Sequence, residues 1–322
     1  MPHRTFFWFF FPSGLAMLLF IGLPIISSFF QSLHIEPEQI LMEVEKCDPF
    51  GCKTETKVDI EATTKLQEEQ PLGRFNGLGT YGDRNHLAFD EIKEAWTNSS
   101  SIAEFTDILL NLPFYKALLF TLTFCFAVTP PVVVLGFIVA LSVNTITKSL
   151  KGPTIFGVIL PMIVTPLIGS LVLFWMIDAK GILGSFIQFL FDDPNLSLKS
   201  SSQLTWITLI IYGIWHNTPF AFVVFYAALQ TVPQDPIEAA IIDGASRYER
   251  VRHIVIPHLY PVATFIILIC LMDNFRVLEP IIGFAAEGVA QSLSWMIYND
   301  LRSENKMLFG SAGATSMLTI VG

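Results

Sequence analysis

Gln234-Asp235-Pro236-Ile237-Glu238-Ala239-Ala240-Ile241-Ile242-Asp243-Gly244-Ala245-Ser246, continuing through Arg247-Tyr248-Glu249-Arg250-Val251-Arg252-His253 to Ile254-Val255-Ile256-Pro257, is a polar island between two long apolar blocks. Asp235 reads as an N-cap, with Pro236 at the first helical position and Glu238 at the third. Helix formers follow to Asp243. Gly244 then breaks or bends the helix, and Ser246 can cap a second, shorter one. Two short helices joined by a glycine make a compact protrusion. Ala239 and Ala240 are small enough for close approach, Ile241 and Ile242 offer apolar contact, and the arginines and Glu249 offer charge. Such a protrusion suits the groove of a partner protein. The competing reading is an amphipathic helix lying on the lipid surface.

The blocks on either side point to a membrane. Of 322 residues, 52% are hydrophobic and 15% charged, which excludes a disordered chain and disfavours a soluble enzyme. Six membrane segments are expected: Phe6 to Phe30, Phe114 to Val143, Pro153 to Ile177, Thr205 to Gln230, Pro257 to Phe284, and a last one from Met307. The first has neither the short core nor the cleavage site of a signal peptide and reads as a retained anchor. The last, ending at Gly322, rises only about 24 Å at 1.5 Å per residue, less than a hydrocarbon core of about 30 Å, so it is expected to be truncated. The short loops place six basic residues on the N-terminal side and four on the other, which puts the N-terminus in the cytoplasm. The fold class is therefore an all-α integral membrane protein. Its parts are residues 1–30 (N-terminus and first span), an acidic external segment 31–113, and a core 114–322 with a cytoplasmic loop at 234–256. Pro12, Pro24, Pro130, Pro131, Pro161, Pro166, Pro219 and Pro261 punctuate the spans and read either as ordinary kinks or as bends around a pathway.

The net charge of −9 is local. Residues 31–113 hold 16 acidic and 7 basic residues, and the rest of the chain is balanced. No basic patch points to nucleic acid. In Cys47-Asp48-Pro49-Phe50-Gly51-Cys52 the two cysteines flank a sequence suited to a type I turn. A disulfide there would contribute about 2 kcal/mol in the chain-entropy model; free thiols are the alternative. No histidine or further cysteine stands near enough for zinc, and no metal or cofactor is expected. Cys125 and Cys270 lie within spans and read as packing residues.

Charges occur within the fifth span. Asp273, Asn274, Arg276 and Glu279 lie in its outer half, with Asp273/Arg276 and Arg276/Glu279 spaced i,i+3. Charges at that depth need partners or water. They read either as an ion-pair chain that fixes packing or as the lining of a pathway for hydroxyl-rich solutes. Asn217 in the fourth span has the same two readings. No Gly-x-x-x-x-Gly-Lys-Ser/Thr stands anywhere, so ATP chemistry is not expected of this chain.

Glu238-Ala239-Ala240, then Gly244 after three residues, then Ile254-x-Ile256-Pro257 after nine, resembles the EAA loop of ABC importer permeases. Asp243-Gly244-Ala245-Ser246 is similar to the carbohydrate branch of that family, as are Phe11-Pro12, Leu23-Pro24 and Trp215 through Pro219. Gly77-Leu78-Gly79-Thr80-Tyr81 looks like a degraded form of the stretch before the family's second span. The chain departs from the pattern in an extra stretch at about 35–73 and in Phe284-Ala285-Ala286-Glu287-Gly288, where the family has a glycine-rich turn. The resemblance implies a six-helix type I permease of the bacterial inner membrane, non-catalytic and without cofactor. It implies a second, non-identical permease, two ATP-binding subunits and a periplasmic solute-binding protein as partners, with a sugar, polyol or glycoside as cargo. Glu238, Ala239, Ala240, Asp243, Gly244, Arg247, Ile254 and Pro257 become the ATPase-coupling residues. A stand-alone secondary transporter is the alternative; it would show inverted repeats, and none is visible.

Overall fold

Prolines decide where the long helices bend, break or pass through. The computed structural model describes residues 2–35, 40–48, 51–69, 72–193, 197–199, 201–302 and 309–321; for 2–4, 43–48, 51–57 and 67–68 only the backbone is described. Among the described residues, four helical stretches are long and apolar enough to cross a membrane. They are α1 (Thr5–Ser32), α2 (Pro113–Thr145), α5 (Ser202–Leu229) and the stretch Arg247–Phe275. Between α2 and α5 lie α3 (Lys148–Ile163) and α4 (Pro166–Met176), a pair bent by 94°.

Two of the four contain a π turn just before a proline. In α1 the turn covers Leu18–Gly22, and the Leu23 N–H reaches back to the Leu18 carbonyl. In the last stretch it covers Val251–Val255, and the Ile256 N–H reaches Val251. Pro24 and Pro257 follow. Neither ring nitrogen can donate to the carbonyl four residues back, and the wider turn takes up that mismatch.

The third expected span, Pro153 to Ile177, is not one helix. Val164 and Thr165 are extended, with ψ of 127° and 145°. Pro166 disfavours helical geometry in the residue before it, so α3 stops at Ile163 and α4 restarts with Pro166 in its first turn. The fifth expected span also ends early. Its helix, α8 (Ile256–Phe275), closes at Arg276, and a separate short helix, α9 (Glu279–Gly283), follows. Pro280 could not have donated to the Arg276 carbonyl in a continuous helix. The sixth span is represented by α10 (Phe309–Val321), and Met307 lies outside the described residues.

The chain divides into two compact units, Ala117–Trp295 and a second formed by Met1–Lys116 with Met296–Gly322. In the first, Val128 and Val132 of α2, Leu209 and Phe222 of α5, Leu259 and Ile266 of α8 and Ile281 of α9 are fully buried. Helices of this kind associate through close packing, since lipid is as apolar as their side chains. Gly136 shows it: a Cβ there would stand 2.5 Å from the Cβ of Ala221, so α2 and α5 touch through backbone.

In the second unit α10 packs along the Leu23–Ser32 end of α1. Ser32 and Tyr81 join by their hydroxyls at 2.6 Å, which ties the Gly77-to-Tyr81 stretch to α1. His86, 1% exposed, bonds through Nε2 to the Ser311 carbonyl at 3.1 Å, and the Ser311 hydroxyl donates to Asp300 at 2.7 Å. Burial pushes the Asp300 carboxyl above its usual range.

Where the sequence suggested only a turn at Cys47 to Cys52, two strands pair antiparallel. They are β1 (Leu41–Asp48) and β2 (Gly51–Val58). Val, Thr and alternating polar residues suit such a ribbon. Its register sets Cys47 opposite Cys52. Directly opposed residues have Cα atoms about 4.5–5.5 Å apart, within the span of a disulfide. The sulfur atoms, and the turn residues Pro49 and Phe50, lie outside the described residues.

Candidate functional site

Two features carry chemistry, both within the unit Ala117–Trp295: a protruding loop and a polar cavity. The loop begins with α6 (Gln234–Ile242), two residues earlier than its sequence suggests. Pro233 occupies the N-cap and Asp235 falls in the first turn. The first four N–H groups of a helix have no internal partner, so Pro236 is tolerated at the third position as well as the first.

The C-terminus of α6 is a Schellman turn. Gly244 has φ +80°, its N–H donates to Ile241 at 3.0 Å, and the Ala245 N–H donates to Ala240 at 2.9 Å. The left-handed residue is the glycine because it has no Cβ to clash. Ser246 then opens α7 (Arg247–Arg250) with a capping box. Its hydroxyl accepts from the Glu249 N–H at 3.3 Å, and the Glu249 carboxylate accepts from the Ser246 N–H at 2.7 Å. Glu238, Ala239, Asp243, Arg247 and Pro257 are exposed, and Ala240 and Ile254 are half-buried. Ile242 is 86% exposed at the tip. A large apolar side chain fixed on a rigid protrusion is a docking feature.

The cavity has a volume of about 550 Å³ and gathers all five of the polar residues singled out in the spans, Asn217, Asp273, Asn274, Arg276 and Glu279. Asn217 of α5 donates through Nδ2 to Asn274 Oδ1 of α8 at 3.0 Å, and Asn274 donates to the Thr129 hydroxyl of α2 at 3.1 Å. This chain of amides fastens three helices together at one level. Arg276 bonds Asp273 at 3.0 Å. The expected continuation to Glu279 is not formed among the described residues. Arg276 is the C-cap of α8, so the second i,i+3 spacing does not lie on one helix. Tyr212 closes one side and donates to the Pro166 carbonyl at 2.8 Å.

His216 also lines this cavity and was not among the residues the sequence singled out. Both its ring nitrogens are buried and have no protein hydrogen-bond partner. An unsatisfied buried polar group costs about 1–3 kcal/mol, so this imidazole favours whatever polar group enters beside it. The signal in the sequence was the run Trp215-His216-Asn217-Thr218, three polar residues together in an otherwise apolar span. Among the described residues, no group of acidic, histidine or cysteine side chains could hold a metal.

The chain is thus a membrane protein by the length and apolarity of its helices, with a polar cavity among broken helices and an exposed loop at 234–256. Residues 102–320 match the family of binding-protein-dependent transport system inner membrane components, and the chain belongs to that family. It is 33% identical over 137 residues to the trehalose/maltose transport system permease protein MalF of Thermococcus litoralis, covering 39% of this chain and 45% of that one. It is 26% identical over 155 residues to the probable starch degradation products transport system permease protein AmyD of Thermoanaerobacterium thermosulfurigenes, covering 44% and 53%. It is 27% identical over 221 residues to the sn-glycerol-3-phosphate transport system permease protein UgpA of Pectobacterium atrosepticum, covering 66% and 74%. The matched stretch thus spans about half the length of the first two relatives. In fold the chain is similar to the crystal structure of a bacterial ABC transporter involved in the import of the acidic polysaccharide alginate, with a TM-score of 0.54 and 17% identity over 82% of this chain and 93% of that one.

Proposed function

We propose that this chain is one permease subunit of an ATP-driven importer for a carbohydrate, residing in the bacterial inner membrane with its N-terminus in the cytoplasm. The observation that carries this reading is the loop: Glu238-Ala239-Ala240 on α6, a glycine-dependent turn at Gly244, and an exposed isoleucine tip. It docks a separate ATP-binding subunit, and two of these serve this permease and a second, non-identical one. A periplasmic binding protein delivers the solute. The sugar-transport names among the relatives, and the cavity lined by amides, carboxylates and an imidazole, support a hydroxyl-rich cargo. Asn217, Asn274 and His216 face the solute, while the Asp273–Arg276 pair neutralises charge at the cavity wall. ATP binding draws the loop, and the bundle changes the side to which its cavity opens; the coupling between the two sites is reciprocal. Cys47 and Cys52 form a disulfide in the external segment. A stand-alone transporter finds no support, since the family is defined by dependence on a binding protein.

The test is a charge reversal on the loop. Glu238 is the fifth residue of α6, past the first turn that holds Asp235. It is exposed, so Glu238→Lys leaves the bundle's packing untouched. Membrane abundance should stay at the wild-type level, while co-purification of the ATP-binding subunits and sugar uptake both fall. Full retention of both in the variant would overturn the coupling assignment.

A further inference from the structure

Beside the coupling loop lies a second cavity, of about 310 Å³, distinct from the one in the bundle. Its wall is built from the ends of three membrane-crossing stretches. Asn144 and Thr145 close α2, Leu229 closes α5, and Arg247 opens the stretch that runs to Phe275. These stretches run 28 to 33 residues, about 42–50 Å at 1.5 Å each, so their shared end outruns a hydrocarbon core of about 30 Å and reaches the headgroup level. Arg247 and Arg250 both line it, and among the described residues no carboxylate does.

Neither arginine has an ion-pair partner among the described residues, whose ion pairs are Lys65–Glu61, Lys199–Asp178 and Arg276–Asp273. The nearest candidate in sequence is Glu249, and its carboxylate is committed to the backbone N–H of Ser246 in the capping box. The capping box thus leaves α7 with two uncompensated cations on a one-turn helix. Arg250 is half-buried, so its charge is partly withdrawn from water. The rest of the wall is apolar apart from the amides and hydroxyl of Asn144, Thr145 and Gln234. Two forked guanidiniums at a bilayer surface, over an apolar floor, match a phosphate group joined to hydrocarbon.

We propose that this cavity binds the phosphate of an anionic phospholipid, held by Arg250 with Arg247 beside it, so that lipid charge bears directly on the geometry of the coupling loop. The proposal concerns a ligand of the loop's membrane side and does not depend on which solute crosses the bundle. A free phosphate compound shares the chemistry, and an acidic side chain of a docked ATP-binding subunit would be a different occupant.

The assembled transporter is purified and placed in vesicles of phosphatidylcholine alone or mixed with phosphatidylglycerol, and spin-labelled phosphatidylglycerol is titrated against the bound-lipid signal. Wild type should select phosphatidylglycerol over phosphatidylcholine, and Arg250→Gln should weaken that selection by about tenfold, the loss of one charge-assisted contact. Arg250→Lys should retain part of it, since the charge remains and the fork is lost. Inorganic phosphate added to the aqueous phase should not displace the lipid; displacement at millimolar levels would move the site to a soluble ligand and overturn the lipid assignment. Equal binding of both lipids by wild type, or unchanged selection in Arg250→Gln, would also overturn it. Loss of ATP-binding subunits from Arg250→Gln with unchanged lipid selection would give the site to the partner protein instead. Failure of Glu238→Lys to uncouple the transporter would leave the lipid measurement intact, so the two readings fail separately.

Discussion

Gly244 offers the sharpest perturbation of the coupling loop, because its environment separates backbone strain from packing. Its φ is +80°, and a Cβ built there meets nothing within 4 Å. Substitution therefore adds no clash with neighbours, and the whole cost lies in holding an L-residue in the left-handed region. That cost is about 1–3 kcal/mol, greatest for a β-branched side chain and least for asparagine, which tolerates the region. Relief is available only by giving up the turn, which breaks the Gly244-to-Ile241 and Ala245-to-Ala240 hydrogen bonds and re-aims α7 relative to α6. If docking requires the native turn, affinity for the ATP-binding subunit falls between about fivefold and 150-fold across that range. The expected order of loss is Gly244→Val, then Gly244→Ala, then Gly244→Asn. The assay is a titration of purified ATP-binding subunit against permease in vesicles, with solute uptake measured in the same preparation. Membrane abundance should be equal in all three variants, since the strained residue lies on the protrusion and not in the bundle. Wild-type docking and uptake in Gly244→Val would refute the reasoning, and an equal loss in all three would show that something other than φ is being measured.

Two further outcomes are expected. In the cavity, His216→Leu removes the unpartnered nitrogens while keeping volume. Abundance should hold or rise and uptake should fall severalfold, whereas Asp273→Asn should lower abundance if its pair with Arg276 is structural, and Asp273→Asn/Arg276→Gln should restore it; normal uptake in every one of these variants would remove the cavity from the transport path. In the hairpin, Cys47 and Cys52 should resist alkylation until reduced, and Cys47→Ser should leave uptake intact; free reaction of both thiols in oxidised protein would show that strand pairing alone holds the ribbon.

The loop was legible almost residue by residue, because its signals are local. A glycine after a run of helix formers and a serine before a charged turn specify their own hydrogen bonds, and the structure forms them at Gly244 and Ser246. The two-residue difference at the start of α6 arises because a helix's first turn accepts proline at several positions. The breaks were less legible. Pro161 and Pro166 look alike in the sequence, yet Pro161 sits inside α3 and Pro166 starts a new helix. Around Pro166 there is also a tertiary contact that no local pattern announces: the Tyr212 hydroxyl, on another helix, donates to the Pro166 carbonyl. The β1–β2 ribbon was missed for a different reason. Its many Glu and Lys residues argued against a core, whereas strand pairing is made by backbone hydrogen bonds that such residues permit.

The charges in the fifth span were legible as a group but not in their roles. Three ionisable residues at i,i+3 intervals imply a ladder only if the helix is continuous, and it ends at Phe275. The end of the helix and the cavity account for each other. Pro166 at the start of α4, Arg276 at the close of α8 and Glu279 at the start of α9 all line the same space. Each break frees backbone carbonyls or N–H groups that hydrocarbon would penalise by several kcal/mol, and irregular backbone at membrane depth is tolerated where it borders protein or a water-filled cavity. The π turns before Pro24 and Pro257 obey the opposite logic. They keep the helix continuous through a proline, and none of their residues lines the cavity. Proline thus has two outcomes in this chain, absorbed where the helix must pass unbroken and left as a break where freed polar groups have a cavity to face. The same division explains why the buried Asn217–Asn274–Thr129 chain stands at the rim of that cavity: side-chain amides fix the three helices at the level where their neighbours' backbone hydrogen bonds are interrupted.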